Sequence, residues 1–235
     1  MSETMTNTQF IIPPPPISSV AVAGTDARFP VRRIICVGRN YAAHAREMGR
    51  DPDREPPFFF LKPADTVVDN GALVPYPPET KNFHYEIELV GAIGKSGADI
   101  PIERALDHVF GYAVGIDLTR RDLQLQAREQ GRPWDWGKGF DLSAPIAPIH
   151  PVSELGHPTS GRIWLAVNGQ VKQDSDIAKL IWSVPDIISI ASRSMELRPG
   201  DLIMTGTPEG VGPVQRGEVM TGGIDGIGEI KIAVC

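Results

Sequence analysis

Cysteine is nearly absent: 235 residues hold only two, Cys36 and Cys235. That excludes a disulfide framework and fits a reducing compartment. Long apolar runs are missing too, and nothing approaches the about 18 to 20 residues that a membrane-spanning helix needs. Basic excess is missing: 23 Lys and Arg stand against 29 Asp and Glu, a net charge of -6. This argues against a nucleic-acid or anionic-membrane surface, while a local positive pocket for a small acidic substrate stays open. The opening stretch MSETMTNTQFIIPPPPISS has no basic segment leading into an apolar one, so a cytoplasmic protein is expected rather than a secreted one. Two signatures are also absent. There is no G-x-S-x-G elbow for a serine hydrolase, and the glycine-rich loop TGTPEGVG lacks the GK[ST] ending that a nucleotide phosphate loop carries.

What is present is a 41% hydrophobic chain, long for one domain and short for two. Residues 1–29 read as an arm, with four prolines at 13–16 favouring an extended backbone. Residues 30–235 read as a single domain. RIICVG and PFFFLKP are buried strands by length and composition, and Asn40 is a candidate N-cap for a short helix ending near Gly49. FHYEIELVGAIG alternates as one strand, with Glu86 and Glu88 on the same face. IPIERALDHVFGY predicts a helix between Pro101 and Gly111, LTRRDLQLQAREQG a polar helix, and SVPDIISIASRSMEL a helix with proline in its first turn. RIWLAVNGQVKQDS predicts a hairpin turning at Asn168-Gly169. Strands outnumber helices without regular alternation, which gives an α+β fold, mainly β.

The chemistry-bearing residues fall into four groups. Two glutamates two residues apart on a strand have Cα atoms about 6 to 7 Å apart, and their convergent side chains can share one cation. Oxygen ligands suit Mg²⁺ or Mn²⁺. Asp117, closing the run YAVGID, offers a third carboxylate; the plain alternative is a wet strand face. His44 and Glu47, at i and i+3 on the short helix, can form a water-activating pair or simply decorate a surface. Lys138, between glycines in WDWGKGFD, can face an oxyanion or sit in an exposed loop. TGTPEGVG offers hydroxyls and backbone N–H groups to a carboxylate, or is only a tight turn.

Seven stretches in order resemble the fumarylacetoacetate hydrolase family, in its acylpyruvase and fumarylpyruvate hydrolase branch. They are CVGRNYAAHAREMG, PFFFLKPADTVV, FHYEIELVGAIGK, GYAVGIDLTRRDLQ, WDWGKGFDLSAPI, VNGQVKQDSDIAKLIWSVPDIIS and GDLIMTGTPEGVGPV, spanning about residue 34 to the end. The resemblance implies a rolled mixed β-sandwich with peripheral helices, as a homodimer. It implies Glu86, Glu88 and Asp117 as ligands of Mg²⁺ or Mn²⁺, His44 and Glu47 as the water-activating dyad, and Lys138 as a substrate contact. Arg39, Gln124 and Thr207 match positions that hold the keto-acid end. The implied reaction is hydrolytic C–C cleavage of a 2,4-diketo acid, foremost fumarylpyruvate. The alternatives are oxaloacetate decarboxylation, a 2-hydroxyhepta-2,4-diene-1,7-dioate isomerase/decarboxylase-type lyase, or a non-catalytic metal-dependent binding protein.

Overall fold

The computed structural model describes residues 9–42 and 56–235. The helix expected after Asn40 lies, beyond Ala42, outside the described residues, and with it His44 and Glu47. Two large sheets pack face to face. The eight-stranded one runs Phe58–Lys62, Arg33–Gly38, Asp201–Met204, Ile87–Ile93, Val109–Ile116, Ala144–Ile146 and Val67–Asp69, with His150–Pro151 added beside Val109–Ile116. The five-stranded one runs Gln170–Asp176, Arg162–Val167, Val219–Ile224, Gly228–Val234 and Leu73–Val74. Three strand pairs are parallel and the others antiparallel, so the sheets are mixed.

The central strands of the larger sheet are apolar on both faces because both faces are covered. Ile35, Val37, Ile87, Leu89 and Ile116 meet Ile163, Leu165, Met220, Ile230 and Ile232 of the smaller sheet in the main core. The alternate residues Ile34, Cys36, Val90, Ala92, Leu202 and Met204 form a second core. A ribbon of Ser19–Ala21 against Arg28–Pro30 closes that second core with Val20 and Phe29. The stretch expected as an arm therefore contains paired strands, whereas Phe10, Ile11, Ile12 and Ile17 before them are exposed.

Local signals predicted several elements well. Asn168 and Gly169 both take positive φ, as a type I′ hairpin requires. The helix Arg121–Glu129 forms, and so does Val184–Ser194, where the Asp186 carboxylate accepts from the Ser183 backbone N–H at 3.0 Å. Three expectations are corrected. FHYEIELVGAIG is not one strand: Phe83–Tyr85 joins Thr119–Arg120 and Gly212–Pro213 in a small third sheet, the ladder breaks at Glu86, and Ile87–Ile93 enters the large sheet. The expected helix ending at Gly111 is a 3₁₀ stretch, Ile102–His108, followed at once by the strand Val109–Ile116. Gly111 serves close strand packing, since a Cβ there would lie 2.4 Å from the His150 carbonyl oxygen. Phe58–Lys62 is an edge strand with an inverted pattern, Phe58 and Leu61 exposed and Lys62 buried. A lysine buried beside an exposed leucine has a partner to explain it.

Candidate active site

The break at Glu86 places the site. Leaving one sheet for the other, the chain turns Glu86 and Glu88 towards the end of the second core. Asp117, just past Val109–Ile116, joins them, and its N–H donates to the Glu86 carbonyl at 2.8 Å. One carboxylate oxygen from each of Glu86, Glu88 and Asp117 lies within 4.8 Å of the other two. All three side chains are buried, at 5%, 2% and 0% exposure, which removes the wet-face reading. Neighbouring oxygen ligands of a hard octahedral cation lie about 3 Å apart, so the three carboxylates would draw together around an ion. Its all-oxygen chemistry fits a hard divalent cation, and the donor set matches the group that the family implies.

Three cations share the cluster. Lys138 donates to Glu86 Oε2 at 2.8 Å, to Asp117 Oδ2 at 2.6 Å and to Thr119 Oγ1 at 2.7 Å. Arg121 pairs with the other Glu86 oxygen. Lys62 Nζ lies 2.9 Å from Asp117 Oδ1, in ion-pair contact without hydrogen-bond alignment, and donates to the carbonyls of Leu118 and Lys138. The Glu88 Oε2 accepts the Gly206 N–H at 2.7 Å. Burial, then the charges of Asp117 and Glu86, push the Glu88 carboxyl well above the ordinary range. Burial pulls the Lys138 ammonium down, but Asp117 and Glu86 outweigh it and hold the group above the usual lysine value. Lys138 is a permanent cation here and not a proton acceptor.

Glycines set the approach distances. A Cβ on Gly137 would meet the Gln124 backbone at 2.8 Å, so the turn carrying Lys138 can press against Arg121–Glu129 only with glycine there. Gly206, at φ 97°, has Asn40 Cβ 2.8 Å from where its own Cβ would be. The TGTPEG loop uses its Gly206 N–H on the protein's own Glu88. Asn40 ties the neighbouring segments: Nδ2 donates to the carbonyls of Trp182 and Thr205, and Oδ1 accepts the Trp182 N–H. Beside it, Arg39 adopts a positive φ of 62°, a conformation rare outside glycine.

These groups line one open pocket of about 480 Å³. Of the nine residues singled out from sequence, Arg39, Glu86, Glu88, Asp117, Gln124, Lys138 and Thr207 line it. His44 and Glu47 lie outside the described residues. Sequence reasoning missed Lys62, Arg121 and Arg128. Arg121 had a signal, being three residues before Gln124 and so on the same helical face; its guanidinium bonds Gln124 Oε1. His84 stays neutral, lowered to about 4 by burial and by Arg121, whose Nε faces its Nδ1 at 3.4 Å.

A sheet sandwich with a buried oxygen triad, a fixed ammonium and an adjoining cationic pocket defines a divalent-metal enzyme for small anionic substrates. The family model described as "Fumarylacetoacetate (FAA) hydrolase C-terminal" matches residues 33–235, and the chain belongs to that family. It is 49% identical over 189 residues to the fumarylpyruvate hydrolase of a Ralstonia species, covering 80% of this chain and 98% of that protein. It is 42% identical over 202 residues to the mitochondrial oxaloacetate tautomerase FAHD1 of Arabidopsis thaliana, covering 86% and 90%. Among solved structures it resembles fumarylpyruvate hydrolase from Pseudomonas aeruginosa in complex with Mn²⁺ and pyruvate. That match has 60% identity and a TM-score of 0.94, covering 96% of this chain and 99% of that one.

Proposed function

We propose that the chain hydrolyses a C–C bond in a 2,4-diketo acid, converting fumarylpyruvate to fumarate and pyruvate. The observation that carries this reading is the buried triad opening on a pocket lined with cations and amide or hydroxyl groups. The three carboxylates and Lys62, Arg121 and Lys138 have formal charges that cancel. A divalent cation, with Arg39 and Arg128 also lining the pocket, would leave a positive excess that an anionic substrate would balance. Glu86, Glu88 and Asp117 would hold Mg²⁺ or Mn²⁺. The chemistry that such an ion supplies is Lewis acidity at the keto-acid end, which lowers the cost of expelling pyruvate as its enolate.

The chain's own groups do the rest. Arg39, Gln124 and Thr207 hold the keto-acid end. Gln124 supports this role because its Oε1 is engaged by Arg121 while its Nε2 carries no bond among the described residues. His44, oriented by Glu47, takes a proton from water as its oxygen adds to the distal carbonyl carbon. Lys138 stabilises the oxyanion as a fixed charge. Collapse restores the carbonyl, breaks the C–C bond and releases pyruvate as its enolate, which gains a proton at carbon.

The distal end faces Phe60, Leu125, Trp134 and Arg128 on the pocket wall. Arg128 is half-buried and carries no ion pair among the described residues, which suits the far carboxylate of a fumaryl group. Residues 30–235 form the catalytic domain in this reading, which places a homodimer in the cytoplasm; the thiols of Cys36 and Cys235 are free, as a reducing compartment keeps them.

The similarity to an oxaloacetate tautomerase favours a second reading, in which the same site stabilises an enolate without water attack. Side-by-side assays with fumarylpyruvate, acetylpyruvate and oxaloacetate separate the two. Hydrolysis predicts fumarate and pyruvate in equal amounts from fumarylpyruvate; turnover of oxaloacetate alone overturns it.

A further inference from the structure

Gln173 is a fully buried amide on the edge strand Gln170–Asp176, between the exposed Lys172 and Asp174. Its inward aim has a local cause. Leu165 faces Gln173 across the hairpin while Ala166 faces Val171, so Lys172 is the extra residue of a β-bulge. Bulges re-aim side chains in this way, often beside active sites. The TGTPEG loop packs onto the bulge through Gly210, where a Cβ would lie 2.2 Å from the Lys172 carbonyl oxygen.

The amide has three partners. Its Oε1 accepts the N–H of Ile87, the residue between Glu86 and Glu88, at 3.0 Å. Its Nε2 donates to the Pro208 carbonyl at 2.9 Å and to Thr207 Oγ1 at 2.8 Å. The amide orientation follows from the partners: only the oxygen can face an N–H, and only the nitrogen can face a carbonyl. The Thr207 hydroxyl therefore accepts from Gln173, and its own proton remains to be donated. Thr207 lines the pocket.

We propose that Gln173 is a positioning residue that fixes the polarity of Thr207, making its hydroxyl a donor to a substrate carboxylate or carbonyl oxygen, while it steadies the peptide between the two glutamates. One side chain from the second sheet thereby couples the metal-ligand strand to the substrate loop. The inference rests on the reading that the keto-acid end sits beside Thr207.

The test measures binding rather than turnover. Mn²⁺ is titrated into the protein by calorimetry, then pyruvate into the Mn²⁺-loaded protein. Gln173→Glu keeps the acceptor for Ile87 but loses both donors, so Mn²⁺ affinity stays within about threefold and pyruvate binding weakens about tenfold or more. Gln173→Met loses both functions and weakens both ligands. Thr207→Val weakens pyruvate by the same factor as Gln173→Glu, Thr207→Ser by less than about threefold, and the Gln173→Glu/Thr207→Val double variant no further than either single one. Additive losses, or wild-type pyruvate affinity in Gln173→Glu, overturn the proposal. If the Gln173 variants do not fold, Thr207→Val decides it: unchanged pyruvate affinity is the refuting result. A wild-type protein that binds pyruvate with Mn²⁺ as stated but leaves fumarylpyruvate intact sinks the proposed hydrolysis and not this inference. Failure of the loaded wild type to bind pyruvate sinks both.

Discussion

Lys138→Met should separate metal binding from catalysis in opposite directions. The ammonium bridges Glu86 and Asp117 at 2.8 and 2.6 Å, and all three side chains are buried. Removing one partner of a buried ion pair costs about 3 to 5 kcal/mol, because the other charges lose their compensation. The metal-free variant should therefore melt well below the parent. A divalent cation and an ammonium about 4 Å apart repel by about 2 kcal/mol even at the dielectric of bulk water. Relieving that repulsion should tighten Mn²⁺ binding by about 30-fold or more, and saturating Mn²⁺ should return most of the lost stability. Hydrolysis should fall by about 10² to 10³, the usual cost of one oxyanion-stabilising group. Calorimetry with Mn²⁺, thermal melts with and without the ion, and a steady-state assay read the three quantities. Weaker Mn²⁺ binding in Lys138→Met would refute the placement of the ammonium as a competitor for the triad. Undiminished turnover would refute its role at the oxyanion.

Arg128→Gln should raise KM for fumarylpyruvate about 10- to 100-fold and leave acetylpyruvate, which has no distal carboxylate, unchanged; equal effects on both substrates would remove Arg128 from the distal end. His44→Ala should keep wild-type Mn²⁺ affinity and lose about 10² to 10⁴ in kcat, and normal hydrolysis by that variant would exclude the dyad.

How much of this was legible depended on the range of the deciding contact. The hairpin at Asn168-Gly169 and the helix opened by Ser183 are set within a few residues, and the string shows them. The break at Glu86 is set by distant partners: Tyr85 pairs with Gly212, while Ile87 pairs with Ile116. Alternation along the strand gave no hint, because both halves keep a period of two. Lys62 and Gln173 were invisible for the same reason. Each is a polar residue whose burial its neighbours along the strand do not explain. Each is explained only by groups far along the chain, the carbonyls of Leu118 and Lys138 for one and the Ile87 N–H for the other. Glu86 and Glu88 were legible as a pair on one face, but their burial was not. That burial is what turns a common pattern into a candidate cation site.

The central claim is that Glu86, Glu88 and Asp117 hold the ion on which C–C cleavage depends. Its most direct test strips the protein with EDTA, titrates Mn²⁺ back, and follows fumarate and pyruvate released from fumarylpyruvate. The account predicts no cleavage without metal, and equal yields of both products rising to a plateau at one Mn²⁺ per chain, with Glu88→Ala flat throughout. Cleavage by the stripped protein, or full Mn²⁺-dependent activity in Glu88→Ala, would contradict it.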